Sequence, residues 1–233
     1  MSDRSIVVDD GLRRSTAHVR VDDVGAPEVD EATGRHLWRV LRVRDGAAVS
    51  ITDGAGRWRT CRVAGSALEP TGEIVSVAPP ATTVTVCAAV PKGERADWLV
   101  QKCSEVGVDR IVIVIAERSV VRWAEARVDR QLERLRRVAV EAALQSRRVW
   151  FPAIDGPVSA ADVLPEAAVA EPGGRALRLG DAMVAVGPEG GWSPAELAAA
   201  ADLVSLGPNV LRVETAAVVA AATMVAMRDS VLR

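Results

Sequence analysis

The sequence predicts a two-domain α/β protein, in which a small N-terminal β-barrel or sandwich precedes a mostly parallel sheet covered by helices. The 233 residues suffice for one large domain or two modest ones, since a domain holds roughly 100–200 residues. Before the Pro79-Pro80 seam, apolar residues alternate with the period of two that is typical of strands, whereas strand and helix patterns alternate after it. These observations divide the chain into domains 1–78 and 79–233.

The N-terminal domain is predicted to contain a hairpin and one helix. Residues 48–52 and 58–63 alternate between apolar and polar, and Asp53-Gly54-Ala55-Gly56 between them is a hairpin turn signal. Residues 30–43 instead have helical spacing. The residues that share one face of this helix are Leu37, Val40, Leu41 and Arg44. The arginines at 35, 39 and 42 are then expected on other, wetter faces.

The C-terminal domain alternates between buried strands and amphipathic helices. The predicted strands are 83–90, 110–116, 183–186 and 203–206, and the predicted helices are 96–106, 127–146, 194–201 and 215–227. Because consecutive parallel strands need a crossover, this alternation implies a parallel sheet with helices on both faces.

Charge is unevenly distributed, although the formal net charge is only -2. Residues 35–62 carry seven arginines against Asp45 and Asp53, and residues 92–148 have a net charge of +4. Residues 149–233 have a net charge of -5. A basic front of this kind allows one face to approach phosphates. An ordinary solvated surface explains the charges equally well.

Composition excludes several classes of protein. An apolar fraction of 49% is too high for a disordered chain, and no apolar run reaches the roughly 20 residues of a membrane-spanning helix. The first residues, MSDRSIVVDDGLRRS, lack the apolar segment of a secretory signal. We therefore expect a cytoplasmic protein with no membrane partner. Cys61, Cys87 and Cys103, together with His18 and His36, lack metal-ligand spacing, so we expect reduced thiols and no metal.

Two loops in the C-terminal domain have the pattern of ligand-binding segments, since each joins a strand end to a helix start. In the first, residues 187–193 contain three glycines, and Ser193-Pro194-Ala195-Glu196 resembles a capping box. The second runs over 206–216. For the first loop, a capped tight turn and a phosphate-binding loop remain alternative interpretations. The absence of a GxxxxGK[ST] or GxGxxG motif disfavours a nucleotide triphosphate or a Rossmann dinucleotide as its ligand. For the second loop, the alternative to a functional role of Arg212 and Glu214 is that they form a simple surface ion pair.

The two loops together resemble a known signature. GPEGGWSPAE at 187–196, followed by LGPNVLRVETAA at 206–217, is similar to the signature of the bacterial 16S rRNA uridine-N3 methyltransferases, S-adenosylmethionine-dependent enzymes of the SPOUT class. Three more stretches resemble family elements in the same order: HLWRVLR at 36–42, Lys92–Val108 with Arg118-Ser119, and EAALQSRR at 141–148. Asn209-Val210 departs from the family's usual Arg-Ile, and Trp192 replaces a more usual Phe.

The resemblance implies a PUA-like RNA-binding β-barrel over 1–78 and a SPOUT methyltransferase domain with a trefoil knot over 79–233. It also implies a homodimer that completes the RNA site. The residues that it places at S-adenosyl-L-methionine, the methyl donor, are Gly187, Pro188, Glu189, Gly190, Gly191, Leu206, Gly207, Leu211, Glu214, Thr215 and Ala216. A carboxylate from Glu189 or Glu214 is expected near the positive sulfonium. No metal is needed.

The implied reaction is methylation of uridine N3 in 16S rRNA, presented as naked RNA or as a 30S subunit. Arg212 is the first candidate to stabilise the uracil anion, Arg148 and Gln145 are next, and Glu141 is a candidate general base. The candidate RNA-binding residues are Arg35, His36, Arg39, Arg42, Arg44, Lys92, Lys102, Gln145 and Arg148. Trp38 and Trp58 either stack on bases or pack in the core.

Three other functions compete with this interpretation. A SPOUT methyltransferase that acts on another RNA position would have similar donor loops. A non-catalytic RNA-binding ribosome assembly factor would keep the fold, but the retention of GPEGG and LRVETA argues against it. A phosphate-binding module without a methyl donor would leave four of the five motifs unexplained.

Overall fold

A computed structural model of the chain describes residues 10–91 and 93–231, which fall into two compact units. The first unit comprises the described residues up to Pro80 together with Ala143–Phe151. The second comprises the described residues of Ala81–Ala142 and those from Pro152 onward. No helix in the described part of the chain is long and apolar enough to cross a membrane.

The first unit is built on a five-stranded sheet. Its strands are β1 (Ala17–Arg20), β2 (Ala48–Thr52), β3 (Arg57–Ala64), β4 (Ala67–Pro70) and β5 (Val75–Ser76). The order is β1-β2-β3-β4, with β5 also paired to β3; β1 and β2 are parallel and the other pairs are antiparallel. The predicted hairpin is confirmed as β2 and β3. The Asp53 carboxylate stabilises its turn by accepting hydrogen bonds from the backbone N–H groups of Ala55 and Arg57, at 2.8 and 3.0 Å.

The helical segment of the first unit differs from its prediction. After α1 (Asp10–Arg14), the helix α2 (Glu31–Gly34) continues as a π-helical turn over Arg35–Val40. Leu37 is fully buried, but Val40 is 65% and Leu41 44% exposed. The expectation that both share the face of Leu37 was therefore wrong. The reason is the wider turn, closed by the Leu41 N–H to the His36 carbonyl at 2.9 Å, because i→i+5 bonding shifts the 3.6-residue period.

Residues 143–151 pack with the first unit, although the division at residues 78 and 79 assigned them to the C-terminal domain. The Gly56 N–H donates to the Val149 carbonyl at 2.8 Å, and the Phe151 N–H donates to the Gly54 carbonyl at 3.0 Å. Both glycines have positive φ. A Cβ on Gly54 would meet the Phe151 ring, and one on Gly56 would meet the Trp150 ring. The two glycines of the hairpin turn therefore leave the space in which the aromatic rings of this segment pack.

A buried polar network lies in the same unit. The His18 Nε2 donates to the Arg148 carbonyl at 3.1 Å, and its Nδ1 lies 2.8 Å from the Ser50 hydroxyl. Arg147, at φ +61°, donates to the Ser15 carbonyl at 2.8 Å and to the Ser15 hydroxyl at 3.1 Å. Burial is the main cause that lowers the pKa of His18 to about 4. The ring is therefore neutral at pH 7.

The second unit contains a six-stranded parallel sheet in the order β11-β9-β10-β6-β7-β8. The strands are β6 (Thr85–Ala89), β7 (Arg110–Ile115), β8 (Ala153–Ser159), β9 (Ala168–Ala176), β10 (Met183–Val186) and β11 (Asp202–Ser205). The helices are α3 (Arg95–Val106), α4 (Glu125–Gln145), α5 (Ala160–Val163), α6 (Pro194–Ala199) and α7 (Val213–Val231). Because α4 ends at Gln145, its last three residues belong to the first unit.

Both faces of this sheet are covered, as the continuous apolar strands predicted. Successive residues of a strand point to opposite faces. Val86 of β6 lies in one apolar cluster with Leu99 of α3 and Ala220 of α7, whereas the next residue, Cys87, lies in a second cluster with Leu164. The four predicted strands and four predicted helices are confirmed within a few residues at each end.

The sequence prediction missed β8, α5 and β9. Residues 170–174 of β9 bulge out of the ladder with β11, whose pairing passes from Leu203 opposite Val169 directly to Val204 opposite Arg175. Gly174 crosses the Val204 backbone so closely that a Cβ would lie 2.6 Å from it. The sequence Glu171-Pro172-Gly173-Gly174 is typical of a turn, which hid the strand.

Candidate functional site

The two candidate loops meet at one cavity of about 300 Å³ in the second unit. β10 ends at Val186 and β11 at Ser205, and in a parallel sheet such ends share one edge. β10 pairs with β6 on one side and with β9 on the other, which is where the strand order reverses. Ligands of open α/β sheets bind beyond the carboxyl ends at such a switch point.

Most residues predicted to hold the donor line this cavity. Eight of the eleven do so, namely Gly187, Pro188, Glu189, Gly191, Leu206, Gly207, Leu211 and Ala216. Gly190, Glu214 and Thr215 are not among the lining residues. The prediction did not name Ala170, Glu171, Pro172, Val186, Trp192, Ser205, Pro208, Asn209, Val210 and Val213, which also line it. The wall from β9 had no local signal, because it depends on the bulge of that strand.

The first loop is held tightly by its own residues. The Trp192 ring is buried against Gly187, where a Cβ would lie 2.9 Å from the indole. The Gly191 N–H donates to the Pro188 carbonyl at 2.8 Å, which closes a turn, and Gly191 has φ +69°. The predicted capping box is confirmed, since Ser193 accepts from the Glu196 N–H and the Glu196 carboxylate accepts from the Ser193 N–H.

Arg118 stabilises the first loop from outside. Its guanidinium donates to the Gly190 carbonyl at 3.3 Å and to the Trp192 carbonyl at 3.1 Å. The side chain also lies against Gly190, whose Cβ would be 3.2 Å from the Cβ of Arg118. In the sequence, Arg118 is part of a stretch that resembles a family element, and this resemblance does not indicate the contact with the first loop. A single sequence shows no sign that residues 118 and 190 meet.

The second loop leads from β11 into α7. Gly207, at φ +128°, donates its N–H to the Ser205 hydroxyl at 3.3 Å, and the hydroxyl donates to the Gly207 carbonyl at 3.2 Å. The side chain of Arg212 is exposed, and its carbonyl accepts from the Ala216 N–H at 2.8 Å. Arg212 therefore directs its charge to solvent beside Leu211 and Val213, which line the cavity.

A charge cluster lies beside the cavity. Arg95, at the start of α3, contacts Glu189 of the first loop and Glu214 of α7, at 3.5 Å in each case. Arg95 and Glu189 are partly exposed, whereas Glu214 is only 7% exposed. The Oε2 of Glu214 has no hydrogen-bond partner among the described residues. The predicted carboxylates are thus together, and the arginine that joins them was missed.

Two further predicted site residues of the second unit, Glu141 and Lys102, are not among the residues that line this cavity. Glu141 is exposed on α4, and Lys102 forms an ion pair with Glu105 at 2.8 Å. Gln145 and Arg148 belong to the first unit. Lys92 lies outside the described residues.

The candidate RNA-binding residues of the first unit form an exposed basic segment. Its members are Arg35, His36, Arg39, Arg42 and Arg44, all exposed. Trp58 is buried in its unit, and Trp38 is partly buried against the core. Both tryptophans therefore pack within the protein.

Cysteine chemistry and metal binding find no support in the described residues. Cys61, Cys87 and Cys103 are free and buried. Burial raises the pKa of Cys61 to about 11 and that of the other two to about 12, so these thiols are protonated at pH 7. No cluster of three or more His, Cys, Asp or Glu side chains suited to a metal occurs in the described ranges.

Comparison with known proteins confirms the resemblance. Residues 78–225 match a family described as the RNA methyltransferase domain, and residues 29–68 match the RNA methyltransferase PUA domain. The chain therefore belongs to the RNA methyltransferase family. Ribosomal RNA small subunit methyltransferase E of Mycobacterium tuberculosis is 37% identical to it over 85% of this chain and 86% of the relative. The protein of that name from Synechocystis is 31% identical, over 84% of this chain and 71% of the relative.

Solved structures confirm the α/β class. A probable rRNA-methyltransferase from Porphyromonas gingivalis superimposes with a TM-score of 0.75 at 27% identity, over 92% of this chain and 99% of the other. Ribosomal RNA small subunit methyltransferase E from Neisseria gonorrhoeae, bound to S-adenosyl methionine, superimposes with a TM-score of 0.74 at 28% identity, over 89% and 96%. The trefoil knot stays a prediction.

Proposed function

We propose that this protein transfers a methyl group from S-adenosyl-L-methionine to N3 of a uridine in the 16S rRNA of the small ribosomal subunit. The observation that carries this proposal is the single cavity formed by the two signature loops. The names of the relatives support an rRNA substrate, and the donor bound to the Neisseria protein supports the methyl donor. The predicted uridine N3 target comes from the signature itself.

The cavity fits the chemistry of the donor. Apolar side chains of Val186, Leu206 and Leu211 supply a wall for an adenosine group, and the backbone of the glycine-containing loops supplies hydrogen-bonding groups. Glu189 lines the cavity and is joined to Glu214 through Arg95, so the cluster of two carboxylates and one guanidinium has a net negative charge next to the space for a cationic ligand. When bound, S-adenosylmethionine supplies a methyl group on a positively charged sulfur.

The chain's own residues account for the remaining requirements. A uracil that is methylated at N3 must be unpaired, since N3 is used in base pairing. Arg212 is exposed between two residues that line the cavity, and in this proposal its charge stabilises negative charge on the uracil oxygens. The exposed arginines of the first unit supply contacts to rRNA phosphates. We propose cytoplasmic action as a homodimer on rRNA or on the 30S subunit.

A methyl-transfer reaction tests the function. The purified protein is incubated with S-adenosylmethionine and with small subunits from a strain that lacks the gene, and the digested nucleosides are identified by mass spectrometry. We expect 3-methyluridine from the wild type, and a loss of at least about tenfold in Arg212→Ala. Another methylated nucleoside would favour a SPOUT enzyme that acts elsewhere. Donor binding without methylation would favour the assembly-factor alternative.

A further inference from the structure

Glu171 is a carboxylate in the wall of the cavity that no sequence motif indicated. It is partly buried and is one of the residues of β9 that line the cavity. Within residues 10–91 and 93–231, its side chain forms no hydrogen bond and no ion pair. The other acid of the lining, Glu189, has an ion-pair partner in Arg95 at 3.5 Å. Glu171 therefore lies at the cavity with its hydrogen-bonding capacity unused.

The backbone around Glu171 explains how the residue comes to line the cavity. β9 pairs with β10 as far as Val169, and its pairing with β11 passes directly from Val169 to Arg175. Residues 170–174 therefore leave both neighbouring strands, at the point where the strand order reverses. Bulges of this kind redirect side chains and are common next to active sites.

The bulge is held at both ends. Before it, Val169 is fully buried. After it, Gly174 passes the backbone of β11 so closely that a Cβ would lie 2.6 Å from it. The next residue, Arg175, donates to the carboxylate of Asp202 at 2.6 Å. Because both ends are fixed, the positions that Glu171 can take at the cavity are restricted.

We propose that the Glu171 carboxylate recognises the ribose of S-adenosylmethionine by accepting hydrogen bonds from its 2′- and 3′-hydroxyl groups. This inference rests on the donor binding that is part of the function proposed above. An ionised carboxylate only accepts hydrogen bonds, and its two oxygens match the two donors of a vicinal diol. In other open α/β sheets that bind ligands at a switch point, an acidic residue binds the ribose 2′-hydroxyl of NAD.

The ribose fits Glu171 better than the sulfonium does. A carboxylate that paired with the positive sulfur would stabilise the donor before transfer more than the transition state, in which that charge is being lost. The positive charge of the donor already has the net negative cluster of Glu189, Arg95 and Glu214 beside the cavity. The diol is neutral and is not altered by methyl transfer. A contact with it therefore adds to donor affinity without slowing turnover.

Calorimetry with two ligands tests which group Glu171 recognises. S-adenosylhomocysteine has the same ribose as S-adenosylmethionine, but its sulfur is uncharged. We expect Glu171→Gln to bind both ligands about 10- to 100-fold more weakly, the range for hydrogen bonds to a charged group. Glu166→Gln changes an exposed acid shortly before β9, and it should bind both ligands as the wild type does. Equal urea midpoints of the two variants would show that both are folded.

Deoxy ligands provide the decisive readout. The 2′-deoxy and 3′-deoxy forms of S-adenosylhomocysteine each lack one of the two proposed hydrogen-bond donors. The wild type should bind each about tenfold more weakly than S-adenosylhomocysteine, whereas Glu171→Ala should bind all three within about threefold. If Glu171→Ala does not fold, Glu171→Gln takes its place, and the difference between the ligands should shrink at least about threefold.

Steady-state kinetics separate donor binding from a catalytic role. In Glu171→Gln, the KM for S-adenosylmethionine should rise by about the same factor as the Kd, that is, about 10- to 100-fold. The kcat on 30S subunits at saturating donor should stay within about threefold of the wild type, because a contact kept equally in the ground state and the transition state changes KM alone.

Three outcomes overturn the proposal while the donor site stands. The first is a wild type that binds both deoxy ligands as tightly as S-adenosylhomocysteine. The second is weaker binding of S-adenosylmethionine alone in Glu171→Gln, which indicates a counter-ion of the sulfonium. The third concerns 5′-methylthioadenosine, which keeps the ribose but lacks the amino-acid end. Equal binding of this ligand by the wild type and Glu171→Gln would assign the carboxylate to the amino-acid end. If the wild type binds neither S-adenosylmethionine nor S-adenosylhomocysteine, the proposed function itself fails.

Discussion

The two signature loops of the second unit and the basic segment of the first unit differ in how firmly their residues are held. The first of these loops is fixed by a buried indole, a capping box and the guanidinium of Arg118. The basic segment carries Arg39, Arg42 and Arg44 on the surface of a π-helical turn and the residues after it. A small ligand requires fixed shape, whereas a phosphate backbone requires mainly charge. Substitutions should therefore act through packing in one region and additively, with salt dependence, in the other.

The largest expected effect concerns the first unit, where the burial of His18 makes the free energy of unfolding depend on pH. The pKa of His18 is lowered from 6.5 to about 4, chiefly by burial. Between these pH values the unfolded chain binds more protons, so the free energy of unfolding falls as the pH drops from about 6.5 to about 4, by at most about 3 kcal/mol. Urea unfolding at pH 4.5 and 7.5 measures this. His18→Gln should have a smaller difference between the two pH values, and an unchanged difference would contradict the prediction.

A more local test concerns the shape of the donor site. Gly187→Ala places a Cβ 2.9 Å from the Trp192 indole, and such overpacking costs about 1–3 kcal/mol. We expect weaker binding of S-adenosylmethionine by about 5- to 100-fold, measured by calorimetry. Gly180→Ala is the matched control, because no atom lies within 4 Å of its added Cβ. Equal behaviour of the two variants would show that the loop is not held by this contact.

Removal of the Arg118 hydrogen bonds to the first loop should have a smaller effect. Arg118→Ala leaves the Gly190 and Trp192 carbonyls without this donor, and each missing hydrogen bond costs about 0.5–1.5 kcal/mol. The donor Kd should rise about tenfold. Arg130→Ala removes an exposed arginine of α4 and should leave the Kd unchanged. If both variants bind the donor alike, the loop keeps its shape without Arg118.

The smallest single effects are expected on the basic segment. Arg39→Ala and Arg42→Ala should each weaken 30S binding by about 1 kcal/mol or less, because an exposed charge in water contributes little. Each should also reduce the slope of log affinity against log salt by about 0.7–0.9 for every phosphate that the variant no longer neutralises. Filter binding at several salt concentrations measures both. A weakening independent of salt would show that this region also recognises shape.

The parts of the fold that follow from local spacing were predictable. The strand at 183–186, the capping box at Ser193 and the two loops were predicted from residues that are close together in the chain. The bulge of β9, the contact of Arg118 with Gly190 and the seat of Trp150 on Gly56 each join residues distant in sequence. Local periodicity contains no information on such contacts. Even Val40 and Leu41 were misplaced, since one wider turn changes the period.

The same limit applies within the site. The two loops could be predicted from the sequence, whereas the charge cluster could not, because it joins residues that are distant in the chain. Both carboxylates lie in the signature loops, but Arg95 begins a helix that follows another strand. Only the parallel order of β6 and β10 places that helix start beside the loops. Residue types can suggest a carboxylate near a cation, whereas the burial of the Glu214 carboxylate beside Arg95 depends on how three elements pack.

The return of residues 143–151 to the first unit has a consequence for the modularity of the protein. A fragment cut after Pro80 would lack Trp150 and Phe151, whose rings cover the glycines of the hairpin turn. The N-terminal unit is therefore not a cassette that a single recombination event could exchange between proteins. To transfer this unit to another protein, one must transfer two separate segments of chain, the residues up to Pro80 and Ala143–Phe151. The second segment includes the last turn of α4.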